Sequence, residues 1–121
     1  MKRPMANFSQ GDVIKVPFPY TDRSTRQSRP ALVVSAKGIE DAHGLLWVAM
    51  ITSAENRGWS GDVNIGNHQA AGLPVPSLIR TAKIATIEAS DAIRLGKIPA
   101  SLLKQVSARL ATALGLPATN R

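Results

Sequence analysis

The succession of short apolar segments separated by turn-forming residues restricts the fold of this chain more than any other feature. Residues 12–18 alternate between apolar and polar side chains, and residues 29–35 and 45–52 are apolar runs of strand length. Alternation with a period of two indicates a strand with one buried face, whereas a short continuous apolar run indicates a strand buried on both faces. Further strand-like patterns lie at residues 62–65, 77–80, 83–87 and 93–98.

The last part of the chain changes to a helical period. Residues 99–114 read as one amphipathic helix, because Pro99 suits a first helical turn and Gly115 and Pro117 end it. A single helix after a series of short strands predicts a mainly β domain, either a strongly bent antiparallel sheet or a partly open barrel capped by the helix. The apolar stripe of this helix consists of Leu102, Leu103, Val106, Leu110 and Leu114.

The length of 121 residues suits one domain with one hydrophobic core. We expect a flexible N-terminal arm at residues 1–10, a single domain at residues 11–116 and a short tail at residues 117–121. Residues 37–44 fit a connector between two strands. Trp47 lies in the most apolar segment and is therefore expected in the core.

The charge balance is basic. Fifteen Lys and Arg residues against eight Asp and Glu residues give a formal net charge of +7. This balance fits an anionic partner, such as nucleic acid, an acidic protein or a membrane surface, and it fits equally a surplus that serves solubility. The basic residues are scattered along the chain, so they do not form a polybasic tail.

Several classes of protein are disfavoured by what the sequence lacks. The chain has no cysteine, which excludes disulfides and thiolate chemistry and favours a cytosolic location. The N-terminus has no apolar signal core and the apolar runs are too short for a membrane span, so no membrane partner is expected. The two histidines, His43 and His68, have no metal-ligand spacing with acidic residues; we predict surface positions for them and no metal or other cofactor.

Arg29 is the residue whose local sequence most suggests a binding role. It follows a long polar loop at residues 19–28, and the next residue, Pro30, biases it toward an extended conformation at the start of a strand. A cation held at a strand end beside a long loop can bind a phosphate group. A surface arginine without function fits the same pattern.

Taken in order, four segments resemble the MazF/PemK toxin family. They are GDVIKVPFPYTD…RPALVVS, WVAMITS, GLPVPSLIRTAKIATI and the leucine-rich terminal helix, and the resemblance runs from about residue 11 to residue 116. It implies a small SH3-like barrel that forms a homodimer. It also implies a cytoplasmic, metal-independent endoribonuclease that cuts single-stranded RNA, usually mRNA, at short sequences. Such a toxin is silenced by a cognate antitoxin with an acidic segment, with which it can form a hetero-oligomer.

The resemblance also carries over particular site residues. The family's usual catalytic pair corresponds to Arg29 and Thr52, and a basic position used by some members corresponds to Arg80. Some members place an acid two residues after that arginine, where this chain has Ala82. Many members carry Glu or His in the first loop, where this chain has Thr25, Arg26 and Gln27, so no carboxylate or histidine base is assigned. Trp59 and Tyr20 are candidates for base stacking. The predicted RNA-binding groove consists of Arg23, Arg26, Ser53, Arg57, Arg80 and Lys83.

Two further functions are compatible with the same fold. Gyrase poisons of this superfamily bind a topoisomerase and cleave nothing, but they resemble one another in an aromatic C-terminal tail, whereas this chain ends Ala-Thr-Asn-Arg. A non-catalytic SH3-like domain would bind RNA with strong salt dependence and leave it whole.

Overall fold

A computed structural model of the protein describes residues 7–17 and 28–117. Within these residues, six antiparallel strands form one curled sheet in the order β4-β5-β3-β2-β1-β6, followed by a C-terminal helix. The prediction of a mainly β, bent antiparallel fold with a terminal helix is confirmed. The strands are β1 (Asp12–Pro17), β2 (Ser28–Val33), β3 (Leu45–Ser53), β4 (Val63–Ile65), β5 (Ser77–Glu88) and β6 (Ile93–Lys97), and the helices are α1 (Lys37–His43) and α2 (Ala100–Ala113).

The pairing of β3 with β5 is interrupted in the middle of β5. The sequence pattern predicts two strands here, but the structure has one strand of 12 residues with an irregularity in its middle. Ala49 of β3 pairs with Ile84, whereas the next residue, Met50, pairs with Arg80, so residues 81–83 have no partner on β3. A bulge of this kind increases the local twist and bends the strand. The interruption in the strand pattern therefore marks a bend within β5.

Each face of the sheet carries a part of the core. On one face, Ile14, Val16, Ala31, Val48 and Met50 pack in a cluster that Phe8 completes. On the other face, strand residues pack against the apolar stripe of α2, in which Val106 is fully buried. Leu102, Leu103 and Leu110 also belong to this contact, as the helical period predicted. Leu114 is the exception to that prediction, because its side chain is 73% exposed.

One expectation about the first half of the domain is wrong, and one helix there was not predicted. The connector at residues 37–44 contains α1, which ends at Gly44 in a left-handed conformation and carries a Lys37–Glu40 ion pair of 3.2 Å one turn apart. Trp47 is not in the core, since its ring is 47% exposed. Trp47 lies on the same side of β3 as the core residues Ala49 and Ile51, but nearer the start of the strand and outside the cluster that packs on α2, beside its exposed partner Thr86.

The N-terminal arm is packed where the structure describes it. Phe8 is buried, and its backbone N–H donates to the Glu40 carboxylate at 2.9 Å. Arg94 donates to the carbonyl of Asn7 and stacks over the Phe8 ring. The expected flexible arm therefore does not extend to residues 7–10, while residues 1–6 and the tail residues 118–121 lie outside the described part. No helix in the described part is long and apolar enough to cross a membrane.

Candidate functional site

The register of the sheet places Arg29 and Thr52 on the same face. Arg29 pairs with Val16, and Ala31 pairs with Met50, so all four residues share one side of the sheet with the alternate residue Thr52. Continuing the β2–β3 register by two residues sets Arg29 opposite Thr52. Arg29 is half-buried and Thr52 is 8% exposed. Two residues far apart in the sequence thus come to adjacent strands with a common orientation.

Thr52 is bound by a side chain from the turn that follows its strand. After β3, the chain forms a 3-10 turn at Ala54–Asn56, whose first N–H groups are capped by the Ser53 hydroxyl, which accepts from the N–H of Glu55. This turn brings Asn56 back over the strand end. Its Nδ2 donates to Oγ1 of Thr52 at 2.9 Å. Ser53 therefore has a structural role as a cap within this site.

Arg80 lies beside the same turn and forms a buried ion pair. Register places it on the site face, because its β3 partner is Met50. Its Nε and Nη2 donate to the two carboxylate oxygens of Asp62 at 3.1 and 2.9 Å, and Nη2 also donates to the carbonyl of Asn56 at 2.7 Å. The two charged side chains are 7% and 12% exposed. A bidentate pair of this kind fixes the guanidinium in one plane.

The ionisation of Asp62 reflects this pairing. Burial by itself raises the pKa of Asp62, but the hydrogen bonds and charge of Arg80, together with the backbone N–H groups of Trp59 and Gly58, lower it below the ordinary value of 3.8. The carboxylate is consequently charged at neutral pH. It compensates the buried charge of Arg80 and also closes the turn, because its Oδ2 accepts from the N–H of Trp59 at 3.2 Å.

Trp59 covers the ion pair and forms part of the surface. The Arg80 guanidinium carbon lies 4.3 Å from the centroid of the Trp59 ring, and Nζ of Lys83 lies 5.8 Å from it. Both distances are within the range of cation–π attraction. The ring is nevertheless 47% exposed. An aromatic surface with two cations beside it thus lies next to the Thr52–Asn56 turn.

The remaining predicted residues take different places. Arg57 is exposed and donates to the carbonyl of Ala54 at 3.2 Å. Arg23, Arg26 and Tyr20 lie outside the described residues. The described part contains no group of three or more His, Asp or Glu residues that could hold a metal ion.

A cavity of about 460 Å³ opens on the other face of the sheet. It lies between the loop after β4 and the start of α2, and none of the predicted site residues lines it. Its walls are formed by Ile65, Gly66, Asn67, Ala70, Ala71, Lys97, Ile98, Pro99, Ser101 and Leu102.

Two residues of the site were not identified from the sequence. Asn56 and Asp62 lie in a segment rich in turn-forming residues, where Asn and Asp are common for conformational reasons. Their spacing from Thr52 and Arg80 follows no local period. The sequence does contain one signal, because an arginine that follows two apolar residues within a strand needs a partner for its charge.

Comparison with known proteins identifies the family. The model of the family described as the PemK-like, MazF-like toxin of type II toxin–antitoxin systems matches residues 9–114. This chain belongs to that family. The PemK/MazF-like assignment covers nearly the whole described domain, from the start of β1 to the end of α2. A comparison with curated proteins found no match.

Solved structures share the fold of this PemK/MazF-like chain. A MazF crystal structure from Deinococcus radiodurans matches with a TM-score of 0.73 and 25% identity, over 91% of this chain and 98% of that chain. A MazE–MazF structure from the same organism matches with a TM-score of 0.70 and 26% identity, over 91% of this chain and 98% of that chain. A mycobacterial endoribonuclease in complex with its cognate antitoxin matches with a TM-score of 0.72, over 95% of this chain and 100% of that chain. Its identity to this chain is 21%, which supports likeness of fold alone.

Proposed function

We propose that this toxin is a metal-independent endoribonuclease that cleaves single-stranded RNA, above all mRNA, at short specific sequences. The observation that carries the proposal is the common face of Arg29 and Thr52, which adjacent strands present in register. Membership of the PemK/MazF-like family and the net charge of +7 support it.

In metal-free cleavage of RNA, the 2′-hydroxyl attacks the adjacent phosphorus and the 5′-oxygen leaves. The reaction needs proton transfer at both oxygens and stabilisation of the negative charge that grows on the phosphate. Arg29 suits the charge stabilisation, because a planar guanidinium donates to two phosphate oxygens at once. A guanidinium only donates hydrogen bonds and is a poor proton donor or acceptor in catalysis, so Arg29 acts through its charge and its hydrogen bonds. Thr52 contributes a hydroxyl beside it.

The surface around this pair suits a single-stranded polyanion. Lys83 lies within cation–π distance of the half-exposed Trp59, and exposed Arg57 lies two residues before Trp59 in the same loop. Single-stranded nucleic acid is commonly held by a basic track together with aromatic rings that stack on bases. We assign backbone contacts to Arg57 and Lys83 and base stacking to Trp59. The predicted contacts from Arg23 and Arg26 complete the proposed groove. Arg80 contributes to the same groove while it remains paired with Asp62.

The proposed regulatory partner is a cognate antitoxin with an acidic segment. Two of the similar structures contain an antitoxin, the MazE–MazF structure and the mycobacterial complex. We propose that an acidic segment occupies the same basic face as RNA and orders on binding, so that antitoxin and RNA compete. We further propose that the toxin is a homodimer. Simultaneous binding of antitoxin and RNA without mutual displacement contradicts the shared face.

The decisive experiment is cleavage of long mRNA by the purified protein in the presence of EDTA. We expect discrete fragments from the wild type and a loss of at least about 100-fold in rate for Arg29→Ala, with an unchanged melting temperature. Binding of RNA without cleavage favours the non-catalytic RNA-binding domain. Absence of both, with inhibition of a DNA supercoiling reaction, favours the gyrase poison; either result refutes the nuclease.

A further inference from the structure

The hydrogen bond between Asn56 and Thr52 determines what the Thr52 hydroxyl can do. A threonine hydroxyl can donate one hydrogen bond and accept others, whereas the amide nitrogen of asparagine can only donate. In this site Nδ2 of Asn56 donates to Oγ1 of Thr52 at 2.9 Å, so the hydroxyl oxygen is the acceptor. The Thr52 proton must therefore point away from Asn56. The bond therefore makes the Thr52 hydroxyl, which could otherwise donate or accept, available to other groups as a hydrogen-bond donor.

The position of Asn56 is itself fixed by buried charge. Its carbonyl accepts from Nη2 of Arg80 at 2.7 Å, and Arg80 is held by both oxygens of Asp62. The capped 3-10 turn that begins after Ser53 connects this anchor to Thr52 in four residues. The ion pair between β5 and the turn thus holds the backbone of Asn56, and the turn places its side chain over the strand end.

We propose that Asn56 is a positioning residue that makes the Thr52 hydroxyl a hydrogen-bond donor to the phosphate undergoing cleavage. This inference rests on the proposed ribonuclease function. Phosphate oxygens only accept hydrogen bonds, and their demand for donors increases as charge develops in the transition state. A hydroxyl that already donates to a protein acceptor cannot meet this demand. Asn56 excludes that arrangement by occupying the acceptor side of Thr52.

The test compares two replacements whose order of effect distinguishes positioning from a structural role. Asn56→Asp keeps the shape but replaces the donor with a charged acceptor, so Thr52 turns its proton toward the carboxylate. Asn56→Ala removes the side chain and leaves the Thr52 proton able to reach the phosphate. We expect kcat to fall by roughly 100-fold for the aspartate and by roughly 10-fold or less for the alanine. A purely structural role gives the opposite order, because the aspartate has the same shape as the native residue.

The added negative charge requires a matched control. Asn64 is exposed on β4, and its pairing with Leu78 places it on the same face as Thr52. Asn64→Asp therefore adds the same charge on the same face without contact to Thr52. We expect it to raise KM through repulsion of RNA and to leave kcat within about threefold of wild type.

A double-mutant cycle completes the test. In a Thr52→Val background the hydroxyl is absent, so Asn56→Asp should lower kcat no further than Asn64→Asp does. Additive losses in kcat, or an alanine variant slower than the aspartate variant, overturn the positioning role while the wild-type nuclease remains established. A wild type that cleaves no RNA overturns the proposed function, and the role of Asn56 with it.

Discussion

The buried pair of Arg80 and Asp62 makes a quantitative prediction about stability. Asp62→Ala leaves the guanidinium of Arg80 buried without its counter-charge, and breaking a buried ion pair in this way costs about 3–5 kcal/mol. The carbonyl of Asn56 and the ring of Trp59 still contact Arg80, which favours the lower end of the range. We therefore expect a loss of about 3 kcal/mol in the free energy of unfolding, or about 10 °C in Tm for a domain of this size.

The measurement is urea denaturation at pH 7 for wild type and Asp62→Ala. The matched control is Asp41→Ala, because Asp41 also pairs with a cation, Lys37 at 3.5 Å, but is 67% exposed. An exposed pair contributes at most about 1 kcal/mol. If Asp62→Ala lowers the free energy of unfolding no more than Asp41→Ala does, the interpretation of a buried, compensated charge is refuted.

The dependence on pH follows from the lowered pKa of Asp62. A carboxyl whose pKa is lower in the folded state contributes stability that is fully present above its ordinary value of 3.8 and is lost as the pH falls through the folded-state pKa. The difference in the free energy of unfolding between wild type and Asp62→Asn should therefore be constant from pH 7 to about pH 5 and shrink below about pH 4. A difference that grows as the pH falls contradicts the assigned charge state.

Three further predictions concern other parts of the molecule. Gly72→Ala should destabilise the fold by about 2–4 kcal/mol in urea denaturation, because Gly72 has φ +81° and an added Cβ would lie 2.1 Å from the Leu95 carbonyl oxygen. The control is Gly38→Ala in α1, which has open space around it and should not destabilise the fold. In an Arg29→Ala background, Trp59→Ala should weaken binding of uncleaved RNA by about 1–3 kcal/mol in fluorescence anisotropy, and Trp59→Phe should retain most of the affinity. Equal affinity of the protein that keeps Trp59 and of both substituted proteins would exclude stacking. Arg57→Ala should reduce the slope of log affinity against log salt by roughly 0.7, the value for one phosphate contact on a single strand, and an unchanged slope would remove Arg57 from the groove.

Much of the fold was predictable because it depends on local periodicity. Alternating and apolar runs predicted strands near their observed positions, and the leucine stripe predicted α2. The sequence predicts two strands where the structure has the single strand β5 with a bulge, since a bulge and a turn both interrupt the period of two. The composition of its segment predicts Trp47 in the core, but Trp47 lies outside the cluster that packs on α2 and is exposed. Hydrophobicity of a segment does not indicate which of its residues face the core.

The strand and helix pattern, the basic charge and the ordered motifs that mark the family can be read from the chain alone, because these properties are carried by neighbouring residues. Three relations required the folded structure: Arg29 and Thr52 share a face, Asp62 neutralises Arg80, and Asn56 donates to Thr52. Each of these relations depends on strand register or on the path of a turn. Register and turn path are set by the packing of the whole sheet, which no local pattern of residues specifies.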